Sequence, residues 1–235
     1  LVVLYGLRGE KLVLEHEKIP FTRLLREGFG AARNPRIALA YASAFIARGD
    51  VVVVGMYLSL WAQRAGTEMG MSPGEAQAQA GIMLAIVSGT PILVAPLFGI
   101  LNDRLDRVTG LILAMALAVV GYVGFGSLDD PLTGLAIPVG IMLGCGQVAS
   151  IITGQTLIGQ ETDPRIAGST LGAFNAFGAI GTLVGSVLGG YLFDLWTPGG
   201  PFLMMGMASG LVMLGALAIR FRYGPAPTTA PATAA

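Results

Sequence analysis

Six long apolar runs divide this chain and leave it little choice of fold. Residues 37–62, 78–101, 108–126, 132–157, 166–193 and 201–221 are each of bilayer-crossing length at 1.5 Å per helical residue. Inside lipid, every backbone N–H and C=O must be satisfied within its own segment, so such runs become helices. Composition agrees. The chain is 54% hydrophobic and 12% charged, against about 25% charged in an ordinary soluble domain. Its 35 glycines suit close helix packing, because small residues let backbones approach where lipid gives no hydrophobic drive. The expectation is an all-α membrane protein of six transmembrane helices.

The basic residues orient those helices. Arg8, Lys11, Lys18, Arg23, Arg26, Arg33 and Arg36 precede the first run, Arg104 and Arg107 lie in the second connection, Arg165 in the fourth, and Arg220 and Arg222 follow the last. The other three connections hold only Arg64. Lys/Arg excess marks the cytoplasmic side, so both ends are expected in the cytoplasm, as an even number of spans requires. Many arginines and few lysines fit a GC-rich bacterial genome, hence a bacterial inner membrane.

Three regions follow. Residues 1–36 are read as the end of a preceding helix plus a cytoplasmic linker, residues 37–223 as the six-helix bundle, and residues 224–235 as a disordered Pro/Ala/Thr tail. The alternative for Leu1–Leu7 is a buried loop. Within the linker, Phe21, Leu24, Leu25 and Phe29 fall at helical spacing, which predicts a short amphipathic helix on the inner membrane surface or a solvated turn. In the second run, Pro91 and Pro96 each remove a backbone donor and predict a kink.

One short pattern occurs twice. Gly99-Ile100-Leu101-Asn102-Asp103 closes the second run and Gly190-Tyr191-Leu192-Phe193-Asp194 closes the fifth. Three helices separate the copies, so they fall on opposite sides of the membrane, as in a 3+3 inverted repeat. The segment Gly99 to Arg107 then resembles the loop signature of the major facilitator superfamily, Gly-x-x-x-Asp-(Arg/Lys)-x-Gly-x-(Arg/Lys), which joins the second and third helices of each six-helix half. Gly99, Asp103, Arg104 and Arg107 lie on or beside signature positions, while Asp106 stands where glycine is usual. The fifth run, with Gly181, Gly185, Gly189, Gly190 and Asp194, is similar to the eleventh helix of that family. The resemblance covers the whole membrane portion and implies the C-terminal six-helix half of a twelve-helix transporter, with an N-terminal half as partner. It also implies that the Gly99–Arg107 loop is a conformational latch. Read from the residues alone, Arg104 and Arg107 are equally simple topology determinants.

Arg48 and Asp50 are the charges that the first run must explain. Ionisable groups at bilayer depth are costly and mark ion or substrate pathways. The two are separated by about 200° around a helix, so they cannot face each other. Asp50 shares a face with Ser43, Tyr57 and Trp61, and Arg48 with Tyr41, Gly55 and Ser59. In the family resembled, the first helix of each half lines the cavity. A carboxyl taken out of water holds its proton more readily, which makes Asp50 the candidate for proton coupling. Arg48 then binds an anionic substrate group or pairs with an acid elsewhere; a static interhelical ion pair is the other reading. Gln147, Gln155 and Asn175 are neutral polar groups at similar depth, suited to substrate contact or to interhelical hydrogen bonds. Gly181, Gly185 and Gly189 read as a packing seam, Glu161, Asp163 and Arg165 as a solvated loop cluster, and Trp61 and Trp196 as an interfacial belt.

Other classes find little support. His16 is the sole histidine and lies outside every run, which removes histidine catalysis or ligation from the membrane, and Cys145 is the sole cysteine. No Ser/His pair, metal spacing or phosphate loop points to an enzyme, a metal, a cofactor or a nucleic-acid partner. The leading expectation is a secondary active transporter of small solutes working by alternating access with proton coupling. A non-transporting scaffold or sensor on the same fold is the alternative.

Overall fold

A computed structural model describes residues 20–224. The expected helix end at 1–7 and the tail at 225–235 therefore lie outside the described residues. Helix α1 (Phe21–Gly30) is followed by a 3-10 turn, Ala31–Arg33. The first span begins at α2 (Pro35–Val52), where Asn34 accepts from the Arg36 amide at 3.0 Å and Pro35 takes the first helical position. It continues through a π-helical stretch, Val53–Leu58, into α3 (Ser59–Glu68). The remaining spans are α4 (Pro73–Arg104), α5 (Arg107–Gly126), α6 (Ala136–Glu161), α7 (Ala167–Leu195) and α8 (Gly200–Tyr223), with a 3-10 turn, Pro164–Ile166, leading into α7.

These six spans match the six apolar runs, and the chain is an integral, multi-pass membrane protein. Differences are confined to the ends. The first span runs on to Glu68 because Gln63, Arg64 and Thr67 prolong the helix beyond the lipid-soluble part. Residues 132–135 are a turn, so the fourth begins later than hydropathy implied. Helix α4 passes through both prolines unbroken. Pro91 deprives the Val87 carbonyl of its helical donor, and that carbonyl lies against Gly144 of α6, where an added Cβ would meet it at 2.5 Å.

Packing follows a two-fold exchange between spans 1–3 and spans 4–6. The first span packs on the fifth, and its counterpart, the fourth, packs on the second. The self-related pairs, first with fourth and third with sixth, close the axis. Glycine makes the close crossings. At Gly121 the α5 backbone lies against Leu143 of α6, and at Gly126 it lies against Gly199 and Leu203 at the start of α8. Between α2 and α7 the seam expected from the glycine ladder is present, with Gly181 under Phe45, Gly185 under Gly49 and Gly189 under the Tyr57 ring.

Helix α1 docks on α7: Gly28 lies against Ser169, Phe29 meets Phe177 at 5.8 Å between ring centroids, and Tyr41 donates to the Gly28 carbonyl at 2.7 Å. Trp61 departs from the belt expected of it. It is buried at the opposite end of the bundle, edge-on to Phe125 at 5.8 Å and beside Phe202 at 5.9 Å. Three aromatics from three spans meet there, and burying the indole outweighs an interfacial seat. Trp196 is exposed.

Candidate functional site

Gly49 is the residue on which the site turns. An added Cβ there would reach 2.9 Å from the Gly181 carbonyl, so α2 and α7 approach as closely as backbones can. That contact fixes the rotation of α2. With Gly49 against α7, Arg48 and Asp50 are thrown to opposite sides of it, and among the described residues neither makes an ion pair.

Arg48 is exposed and enters a cleft of about 250 Å³ between α2, α6 and α7. Its aliphatic stem lies on Gly178, where a Cβ would come within 2.7 Å of Cγ. Ser43 and Val51 of α2, Ser150, Ile151 and Gln155 of α6, and Phe174 and Asn175 of α7 complete the lining. Sequence spacing set Ser43 opposite Arg48 and Tyr41 beside it. The structure reverses both. Tyr41 is drawn to α1 and stacks on Phe177 at 5.0 Å, whereas Ser43 sits at the α2–α6 crossing over Gly154.

Asp50 is enclosed, with 1% of its surface exposed. Gln147 of α6 donates to Asp50 Oδ1 at 3.2 Å. The Tyr122 hydroxyl of α5 stands within electrostatic reach of the same carboxyl. Yet Asp50 Oδ2 and Tyr122 Oη both lack a hydrogen bond of ordinary geometry among the described residues. Three spans thus contribute one polar group each to a closed cluster at mid-bundle. Of the five polar residues placed at bilayer depth from sequence, the fold sorts Arg48 with Gln155 and Asn175, and Asp50 with Gln147. Tyr122 was missed, since nothing in its own helix distinguishes it from a packing aromatic.

The loop between α4 and α5 is held chiefly by Arg107 and Asp106. Arg107 donates to Gln160 Oε1 at 2.8 Å and to the Asn102 carbonyl, and Asn102 donates to Thr156 at 2.9 Å. Asp106 explains its own departure from the usual glycine: it accepts from the Thr109 amide at 3.1 Å, capping α5, and pairs with Arg220 of α8. Asp103 points away, 81% exposed and 4.0 Å from Arg107, a pairing worth little at a surface. Arg104 is exposed as well, and no atom lies within 4 Å of where a Gly99 Cβ would stand.

At the second copy of the pattern, Asp194 pairs with Arg64 at 3.7 Å. Glu161 is not solvated as expected; it is 16% exposed and bonds Arg36 and Asn34, tying the start of the first span to the end of the fourth. Among the described residues no group of His, Cys, Asp and Glu is placed to hold a metal.

Comparison with known proteins agrees with this architecture. Residues 37–235 match the profile of the Major Facilitator Superfamily. Magnetosome protein MamH of Paramagnetospirillum magneticum is 31% identical over 187 residues, covering 80% of this chain and 43% of that protein. Magnetosome protein MamZ of Magnetospirillum gryphiswaldense is 32% identical over 182 residues, covering 77% of this chain and 28% of that protein. The uncharacterized MFS-type transporter YddS of Bacillus subtilis is 29% identical over 147 residues, covering 59% of this chain and 34% of that protein. The chain therefore spans less than half the length of these relatives.

Proposed function

The chain belongs to the major facilitator superfamily, and from that premise we propose that it forms one wall of a secondary active transporter. A small solute passes by alternating access between this six-helix bundle and an N-terminal partner half, driven by protons through Asp50. The observation that carries this reading is the Arg48 cleft. A guanidinium held at mid-span with no counter-charge among the described residues gains nothing for stability, so its retention points to a visiting solute or to water. Asp50 supplies the second part. A charged carboxyl is costly in an enclosed cluster without a cation, which suits a group that exchanges a proton as the helices rearrange. Asp103, turned outward at the end of α4, suits a latch that the partner half engages in one state.

Charge asymmetry supports a cytoplasmic side for both ends of the bundle. Two of the relatives are named magnetosome proteins, which supports a bacterial inner membrane or a magnetosome membrane for this chain.

The test is reconstitution of the full-length protein in vesicles holding a trapped pH dye, with anionic, zwitterionic and cationic solutes added outside. A solute-dependent proton flux that collapses with a protonophore is expected. Vesicles that move neither solute nor protons, with one fixed pattern of cysteine accessibility at both faces, would establish the scaffold instead.

A further inference from the structure

We propose that the Arg48 cleft receives an oxyanion group, a carboxylate or phosphate, carried by the transported solute; this rests on the transport reading above and narrows it to one chemical class. Charge and donor groups in the lining point to an anion, and depth separates a solute from a lipid.

Among the described residues the cleft has one formal charge in its lining, the guanidinium of Arg48, and no acidic side chain lines it. Asp50, the nearest acid in the chain, is turned away by the Gly49–Gly181 contact and closed in with Gln147. A cation entering here meets like charge, and a neutral solute leaves the guanidinium unneutralised in a poorly hydrated place.

The remaining polar groups offer both donors and acceptors, and the donors are amides. Gln155 presents an amide into the cleft. Asn175 spends one amide hydrogen on the Leu171 carbonyl at 3.0 Å and keeps the other. The hydroxyl hydrogens of Ser43 and Ser150 are committed to Ala40 and Gly146 carbonyls, each at 2.8 Å, so these serines contribute oxygen lone pairs only. The guanidinium and these two amides line one cleft, and a guanidinium with amide donors is the donor set an oxyanion uses.

Depth then separates a solute from a lipid. Arg48 lies 13 residues into the first span, which begins at Pro35, or about 20 Å along the helix. By the length and composition of the span that depth falls within the hydrocarbon layer, which favours a solute over a headgroup phosphate. The cleft volume of about 250 Å³ in this wall accommodates a small solute's charged end.

The experiment places a single thiol in the cleft, Ile151→Cys, in full-length protein carrying Cys145→Ser and no other cysteine. In phosphatidylcholine vesicles, labelling rates are compared for a negatively charged sulfonatoethyl thiosulfonate and its positively charged trimethylammonium counterpart. Each rate is scaled to that of a free thiol. The anionic reagent is expected to be favoured at least about fivefold, given one uncompensated charge within reach. Arg48→Gln should abolish that preference and Arg48→Lys restore it. Citrate and inorganic phosphate should slow labelling of the Arg48 protein while choline does not, an arm independent of whether Arg48→Gln folds. A preference unchanged in Arg48→Gln, or protection by neither anion, overturns the oxyanion and leaves transport standing. Protection that appears only with phosphatidylglycerol in the vesicles assigns the site to lipid. If neither reagent reaches the thiol from either side, the cleft is no aqueous path, and the transport reading falls with it.

Discussion

Two side chains two positions apart meet opposite fates, and the consequences are separable by mutation. Asp50→Asn preserves the shape of the enclosed cluster and keeps an acceptor for Gln147. Transport by that variant is expected to persist with its dependence on pH removed, and uptake measured over a series of pH values checks it; an undiminished pH profile takes Asp50 out of the mechanism. Gln147→Leu acts differently, because it strips the carboxyl of its one hydrogen bond. An enclosed polar group left without a partner costs about 1–3 kcal/mol, so thermal unfolding in detergent should register a loss that Asp50→Asn does not. The charges themselves were legible in the sequence, since ionisable groups inside an apolar run stand out against the price of burial. Their partners were not. Helical spacing fixes angles on one helix, whereas Tyr122 and Gln147 reach Asp50 from two others, and the rotation of α2 was decided by a glycine contact with a third.

Helices in this bundle are set by where backbones touch, and glycines mark the places. Gly49→Val would drive methyls into the Gly181 carbonyl and the Met205 side chain, 2.9 and 3.3 Å from its Cβ, so α2 and α7 must separate. Overpacking of this kind costs about 1–3 kcal/mol, and the variant should melt lower and lose the orientation of both Arg48 and Asp50. Gly172→Ala on α7 is the matched control, because nothing lies within 4 Å of the added carbon; its melting should be unchanged or slightly raised. A second comparison tests the correction at Trp61. Removing an indole packed between Phe125 and Phe202 should cost about 3–5 kcal/mol in Trp61→Ala, whereas the exposed Trp196→Ala should cost little. Span positions and the α2–α7 seam could be read from hydropathy and glycine spacing, since both are properties of single helices. The π-helical stretch at Val53–Leu58 could not, because nothing in its residues sets it apart from the apolar run around it.

At the scale of the whole molecule, what is left uncovered is as informative as what is packed. Ile92 and Leu93 of α4 are 77% and 79% exposed, and Leu183 and Val187 of α7 are 66% and 70% exposed. These second and fifth spans exchange under the internal two-fold. At one end of α4, Asp103 is 81% exposed with only its 4.0 Å approach to Arg107, and among the described residues no other element lies within 4 Å of a Cβ at Gly99. Asp106 and Arg107, by contrast, are spent on holding the loop together. The division of labour yields a prediction. Asp103→Asn should leave thermal stability within about 0.5 kcal/mol, because the exposed side chain contributes almost nothing to the fold. Arg107→Ala should destabilise by about 1–3 kcal/mol through loss of charged hydrogen bonds to Gln160 and Asn102. If Asp103 is the latch, its loss must instead shift the balance between open states. In full-length protein, cysteine labelling from each side of the membrane should then change severalfold in Asp103→Asn with melting unaltered. An Asp103→Asn protein that melts lower yet labels as before makes the residue part of the scaffold, with Arg104 and Arg107 reduced to marks of topology.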